Sequence, residues 1–261
     1  TGFDYIGEPT PYAYPARSSY FGIIDLAGLP KDSYYMYQSE WTQKDVLHLF
    51  PHWNWLPGQA IDMWCYYNHA DEVELFINGK SQGIRKKTVY GAKNEGDAFR
   101  KSTEYHVMWR VNFEPGEVKV VARKNGKVVA RHQIETTGEA VALKLVPDME
   151  IWHADGKDLM HVRIYAVDKK GRRVLNVKDA KAFDKLTFAV KGDANIVAVD
   201  NGNIASDELH IGKTQLEKNI QRHLFQGSAL VILRAGNKSG KIELSVAGEK
   251  MKARKLVLNT K

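Results

Sequence analysis

The chain of 261 residues is 43% hydrophobic with a formal charge of +7, long enough for two ordinary domains and too apolar for a disordered tail. Its basic residues stand in ones, twos and threes between apolar positions, which argues against a nucleic-acid partner, and the densest cluster, Arg85-Lys86-Lys87, reads as a solvated strand end. No stretch approaches the roughly 18 apolar residues of a membrane helix, so membrane insertion is not expected, and a single cysteine, Cys65, excludes an internal disulfide framework.

The opening TGFDYIGEPTPY has neither the basic nor the apolar region of a signal peptide, and no initiator methionine precedes it. The chain therefore reads as a piece whose own N-terminus lies elsewhere. Residues 1–43 differ in texture from the rest, holding seven of the twelve tyrosines and four of the eight prolines. Within them a helix is predicted from Asp32 to about Trp41, with Asp32 as its N-cap and Pro30 as a stop for what precedes it.

From Val46 onward the apolar period becomes two. AIDMWCYYN sets Ile61, Met63, Cys65 and Tyr67 on one face, and EVELFING does the same with Val73, Leu75 and Ile77. Asn78-Gly79 supplies the positive-φ pair of a type I′ hairpin, with KSQGIRKK as the return strand. A second hairpin is predicted in EVKVVARKNGKVVARHQIE, turning at Asn125-Gly126 and setting Val118, Val120 and Ala122 against Val128 and Ala130. Short strands with turn signals at near-regular spacing are the sequence form of a β-sandwich.

The pattern is interrupted at Thr136-Thr137-Gly138 and then resumes. AVALKLVPD alternates, HVRIYAVDKKGRRV predicts a hairpin around Lys170-Gly171, and LTFAV, NIVAVDNGN, SALVILRAG, KIELSVAG and ARKLVLN follow. About seven strands in this span match one further immunoglobulin-like sandwich. The polar stretch 206–221 reads as a long loop. Domains are thus expected over 1–43, 44–137 and 138–261, and the fold class is mainly β.

Chemical motifs are few. Gly79-Lys80-Ser81-Gln82-Gly83 matches the nucleophile elbow of α/β-hydrolases, but that elbow needs a strand feeding a helix, and here two strands flank a tight turn. His48 and His52 have the spacing of two helical metal ligands, yet Pro51 and the neighbouring aromatics argue against a helix. Asn237-Lys238-Ser239 matches a glycosylation acceptor, meaningful only in a eukaryotic secretory context. No cofactor is expected. The six tryptophans, Trp41, Trp53, Trp55, Trp64, Trp109 and Trp152, are either sugar-stacking platforms or core; their place in or beside alternating strands favours core.

Four stretches, in order, resemble glycoside hydrolase family 2, in particular the β-galactosidase-like enzymes of Bacteroidetes. TGFDYIGEPTPY resembles the eighth strand of the (β/α)₈ barrel with its following loop, and YFGIIDLAGLPKDSYYMYQSEW the closing barrel segment and last helix. DEVELFINGKSQG resembles the first C-terminal sandwich, and VDNGNIASDE with FQGSALVILRAGNKSGKIELSVAG a further immunoglobulin-like domain. The resemblance implies a retaining exo-β-glycosidase, with an acid/base glutamate and a nucleophilic glutamate whose carboxyls stand about 5 Å apart. Both belong to barrel strands before the eighth, so neither is assigned to a residue here, and the isolated chain is expected to be inactive. At the C-terminal rim of that barrel the resemblance places Asp4, Tyr5 and Glu8 as substrate-binding residues, against a reading of all three as structural hydrogen-bonding groups at a strand end. It further implies a carbohydrate substrate for the parent enzyme and a periplasmic or secreted location. The alternative is a non-catalytic sandwich module that binds carbohydrate or protein through exposed aromatic rings.

Overall fold

A computed structural model describes residues 2–7, 18–88, 103–175, 183–210 and 220–261. The chain divides into two compact units. One holds the N-terminal segment through Leu29 together with Thr137–Lys261, and the other spans Pro30–Thr136.

The N-terminal segment forms a two-stranded antiparallel ladder, β1 (Tyr5–Ile6) with β2 (Ser18–Ser19). Phe3 bridges Ile24 in parallel, and the Asp4 N–H donates to the Ile24 carbonyl at 2.8 Å. Gly22 is required here: a Cβ on it would lie 2.1 Å from the Asp4 backbone nitrogen.

In the second unit the helix α1 runs Asp32–Trp41, as the pattern predicts, but its cap is Lys31 and no side chain caps it. Asp32 instead sits in the first turn, where a carboxylate suits the positive end of the helix dipole, and its Oδ1 pairs with His48 Nε2 at 2.8 Å. The strands β3 (Leu47–Phe50), β4 (Ala60–Tyr67), β5 (Glu72–Ile77), β6 (Lys80–Arg85), β7 (Val107–Asn112), β8 (Glu117–Lys124) and β9 (Lys127–Glu135) form two antiparallel sheets, β3-β4-β7 and β6-β5-β8-β9. Ile61, Met63, Cys65 and Tyr67 from one sheet meet Val73, Leu75, Ile77, Val118, Val120 and Ala122 from the other in a single core. Both predicted Asn-Gly turns are present, with φ of 48° and 80° at Asn78-Gly79 and 50° and 73° at Asn125-Gly126. One detail differs: Val128 is exposed, because β9 is an edge strand and its register shifts at Ala122/Arg123.

The second sandwich holds β10 (Ala142–Pro147), β11 (Leu159–Val167), β12 (Lys185–Lys191), β13 (Ala194–Asp200), β14 (Ile220–His223), β15 (Ser228–Ala235), β16 (Gly240–Gly248) and β17 (Arg254–Thr260). Its sheets are β10-β11-β15-β13 and β14-β12-β16-β17, all antiparallel. Leu143, Met160, Val162 and Ile164 face Leu186, Phe188, Ile242 and Leu244 in its core. The turn at Lys170-Gly171 forms, but its return limb is only an Arg173 bridge to Val167. Further growth is blocked because Tyr165, two residues back, already pairs with Ser228 of β15. Ile220 and Gln221, read from the sequence as loop, belong to β14 and pair with β12; residues 211–219 lie outside the described set.

Candidate functional site

Of the residues singled out by the resemblance, Tyr5 lies on β1 and Asp4 immediately precedes it. Strand alternation sends neighbours in opposite directions. Asp4 is buried and its Oδ1 accepts the Gly22 N–H at 2.9 Å, whereas Tyr5 is exposed, among Phe3, Ile6, Tyr20 and Phe21, which are exposed too. Glu8 lies outside the described residues. Asp25 organises the other end of the segment. Its Oδ1 accepts N–H groups from Ala27 at 2.9 Å and Leu29 at 2.8 Å, closing a tight turn in which Gly28 has φ 71°. Burial pushes the Asp25 carboxyl above the usual range, partly offset by those two N–H bonds, with the charges of Asp200 and Asp4 adding to the rise.

A second polar constellation follows β13. Asp200 Oδ1 accepts the Asn201 N–H at 2.6 Å and the Gly202 N–H at 2.7 Å, while Oδ2 contacts His210 Nδ1. Arg222, on β14, is fully buried and points its guanidinium at this loop: Nη1 donates to the Glu208 carbonyl at 2.9 Å and Nη2 to Asn201 Oδ1 at 3.2 Å. The carboxylates of Asp200 and Glu208 stand 3.7 and 3.6 Å from it. A buried guanidinium is tolerable only with such company. No signal in the sequence marks it, because Arg222 sits in a polar run, QRH, with no apolar period of its own.

The motif candidates resolve into structure. Ser81 sits inside β6, which runs on to Arg85, and donates to Glu74 Oε1 at 2.7 Å, so it is not on the strand-to-helix turn of a nucleophile elbow. His48 lies on β3, stacked on Tyr35 at 3.8 Å, and His52 stacks on Trp55 at 4.5 Å. Among the described residues no group of three or more His, Cys, Asp or Glu side chains is placed to hold a metal, and no helix is long and apolar enough to cross a membrane.

The tryptophans are mostly framework. Trp53, Trp109 and Trp152 are 1, 2 and 0% exposed, and their indole N–H groups donate to the carbonyls of Glu114, Gly83 and Asp158. On the outer face of β3 and β4 the rings of His48, Phe50, Trp64 and Tyr66 stand against one another. Phe50 to Tyr66 is 4.8 Å between centroids and Phe50 to Trp64 is 6.2 Å, each pair tilted by about a third of a right angle. Trp41, at the end of α1, is 76% exposed and sits 4.6 Å from Tyr37.

Two antiparallel sandwiches and a short N-terminal segment outside them define a mainly β protein of immunoglobulin-like architecture. Comparison with known proteins names them. Residues 143–257 match glycoside hydrolase family 2 C-terminal domain 5, and residues 58–130 match a domain of unknown function, DUF4982. A β-galactosidase of Bacteroides ovatus is 53% identical over 249 residues, which are 95% of this chain and 26% of that protein. A putative β-glucuronidase of Formosa agariphila is 34% identical over 90% of this chain and 21% of its own length. A β-glycosidase structure from Bacteroides vulgatus superposes with a TM-score of 0.82 at 30% identity, covering 99% of this chain and 30% of the other. Residues 143–257 thus carry a glycoside hydrolase family 2 C-terminal domain, and the chain as a whole is similar to these enzymes while spanning about a quarter of the length of the curated relatives.

Proposed function

We propose that this segment is the C-terminal part of a retaining exo-β-glycosidase, a β-galactosidase, that releases terminal sugars from oligo- or polysaccharides in the periplasm or outside the cell. The single observation that carries the reading is the 53% identity to the Bacteroides ovatus β-galactosidase across 95% of this chain. In this reading residues 1–43 end the catalytic barrel, 44–137 and 138–261 are its two sandwiches, and Asp4, Tyr5 and Glu8 stand at the rim of the sugar site. The cluster of exposed Phe3, Tyr5, Ile6, Tyr20 and Phe21 supports it, since a patch of this kind on one short segment marks a surface made to be covered. The two glutamates that cleave the glycosidic bond come from the remainder of the barrel. One would protonate the leaving oxygen while the other forms the glycosyl-enzyme bond. What this segment contributes is wall and brace.

The experiment is a chromogenic panel of β-galactoside, β-glucuronide and β-mannoside with the full-length protein. Preference for the β-galactoside by kcat/KM is expected. Preference for the β-glucuronide would replace the substrate assignment with that of the Formosa agariphila relatives, and no turnover of any of the three would refute the glycosidase reading.

A further inference from the structure

Gly202 stands between two carboxylates. Its N–H donates to Asp200 Oδ1, while its Cα faces Asp25: a Cβ on Gly202 would lie 2.3 Å from Asp25 Oδ2 and 2.7 Å from its Cγ. Its φ of +76° is in the left-handed region, so glycine is needed twice over, for the backbone and for the space. Neither side can give way easily. Asp25 is pinned through Oδ1 by the Ala27 and Leu29 N–H groups, and its own N–H donates to the Leu29 carbonyl at 2.9 Å. The Asp200–His210 loop is held from beneath by the buried Arg222 and closed by the Val199 N–H to the His210 carbonyl at 2.7 Å.

We propose that the Asp200–His210 loop of the second sandwich is the seat of the N-terminal segment, with Gly202 a positioning residue that sets, through Asp25, where Asp4 and Tyr5 stand. The link from Asp25 to Asp4 is short and rigid: Asp4 N–H to the Ile24 carbonyl, Ile24 N–H to the Gly2 carbonyl, and Gly22 N–H to Asp4 Oδ1. A sandwich that fixes this segment fixes one wall of the sugar site, which rests on the placement of Asp4 and Tyr5 given under the proposed function.

The test compares Gly202→Ala with Gly171→Ala. Gly171 has φ +77° and nothing within 4 Å of an added Cβ, so both substitutions impose the same backbone strain and only Gly202→Ala meets Asp25. In the 261-residue chain, amide exchange read by mass spectrometry should show Gly202→Ala lowering protection of Gly22–Leu29 about tenfold, with Gly171→Ala leaving it unchanged. Protected β11 amides in both variants verify that the sandwich stays folded. In an Asp25→Ser background, Gly202→Ala should add no further loss. Equal exchange in the two glycine variants, or a full additional loss in the Asp25→Ser background, overturns the seat. In the full-length protein Gly202→Ala should raise KM for the preferred glycoside several-fold while kcat holds; an unchanged KM overturns the positioning role. Because exchange is read without substrate, a glycosidase assay that fails in the unsubstituted protein would count against the proposed function and leave the seat intact.

Discussion

Asp168 ties the start of the second sandwich to its first hairpin, and replacing it by asparagine tests that tie by removing its charge and one acceptor oxygen. The carboxylate is buried, and burial by itself would raise its pKa. Arg172 outweighs this through Nε at 2.9 Å and Nη2 at 2.6 Å, together with N–H groups of Arg172, Gly138 and Lys170, and holds it at about 2 against an ordinary 3.8. That depression corresponds to about 2 kcal/mol at neutral pH. Losing part of the N–H acceptance adds to it, so Asp168→Asn should cost about 2–3 kcal/mol at pH 7. The folded pKa lies below the unfolded one, so the stabilisation is complete above about pH 4 and disappears as pH falls through about 2; near pH 2.5 about a third should remain. The assay is urea unfolding followed by the ¹⁹F resonance of Trp152 in 5-fluorotryptophan-labelled protein, since Trp152 lies in the core of this sandwich and reports it separately from the other unit. A cost below about 0.5 kcal/mol at pH 7, or one equally large at pH 2.5, would refute the reasoning.

Gly79→Val and Gly126→Val should each destabilise the first sandwich by about 1–3 kcal/mol through backbone strain, since an added Cβ at either site meets nothing within 4 Å; wild-type midpoints in urea for both would contradict the type I′ assignment. Burial pushes the Cys65 thiol well above its ordinary value, so a disulfide reagent such as DTNB should leave the native chain unlabelled and modify one thiol per chain once urea unfolds it. Prompt native labelling would place Cys65 outside the core. Burial, assisted by the charge of Lys87, pushes the His106 imidazole down to about 4. Its NMR titration midpoint should therefore fall near 4, and because the folded value lies below the unfolded one, stability should drop as pH falls from about 6.5 toward 4; a midpoint near 6.5 would show an accessible ring.

The sandwich cores were legible because one face of each strand is apolar at every second residue. Ile61, Met63, Cys65 and Tyr67 needed nothing but period two, and the Asn-Gly turns needed only their positive φ. Edges were less legible. Val128 looks as apolar as Val118, and only its place on the outermost strand decides that it faces solvent. The polar seat was not legible at all. Asp25, Gly202 and Arg222 are distant in sequence, each is ordinary in its local window, and their roles come from contacts that no periodicity records. The VDNGN stretch carried the family resemblance, yet its Asp and Gly look like any turn until Asp25 is seen against Gly202. Asp32 shows the same limit in miniature: a good capping residue one position too late becomes the first-turn partner of a histidine on β3.

The central claim is that this segment braces a glycosidase whose cleaving carboxylates lie in the rest of the barrel. Within it Asp4 already spends one carboxylate oxygen on the Gly22 N–H. The direct measurement is hydrolysis of a chromogenic β-galactoside by the purified 261-residue chain beside the full-length protein at equal molar concentration. The account predicts steady turnover by the full-length protein and none by the 261-residue chain. Turnover by the shorter chain that survives repurification and disappears on Asp4→Asn or Glu8→Gln would contradict it, placing the chemistry in residues assigned here to the wall.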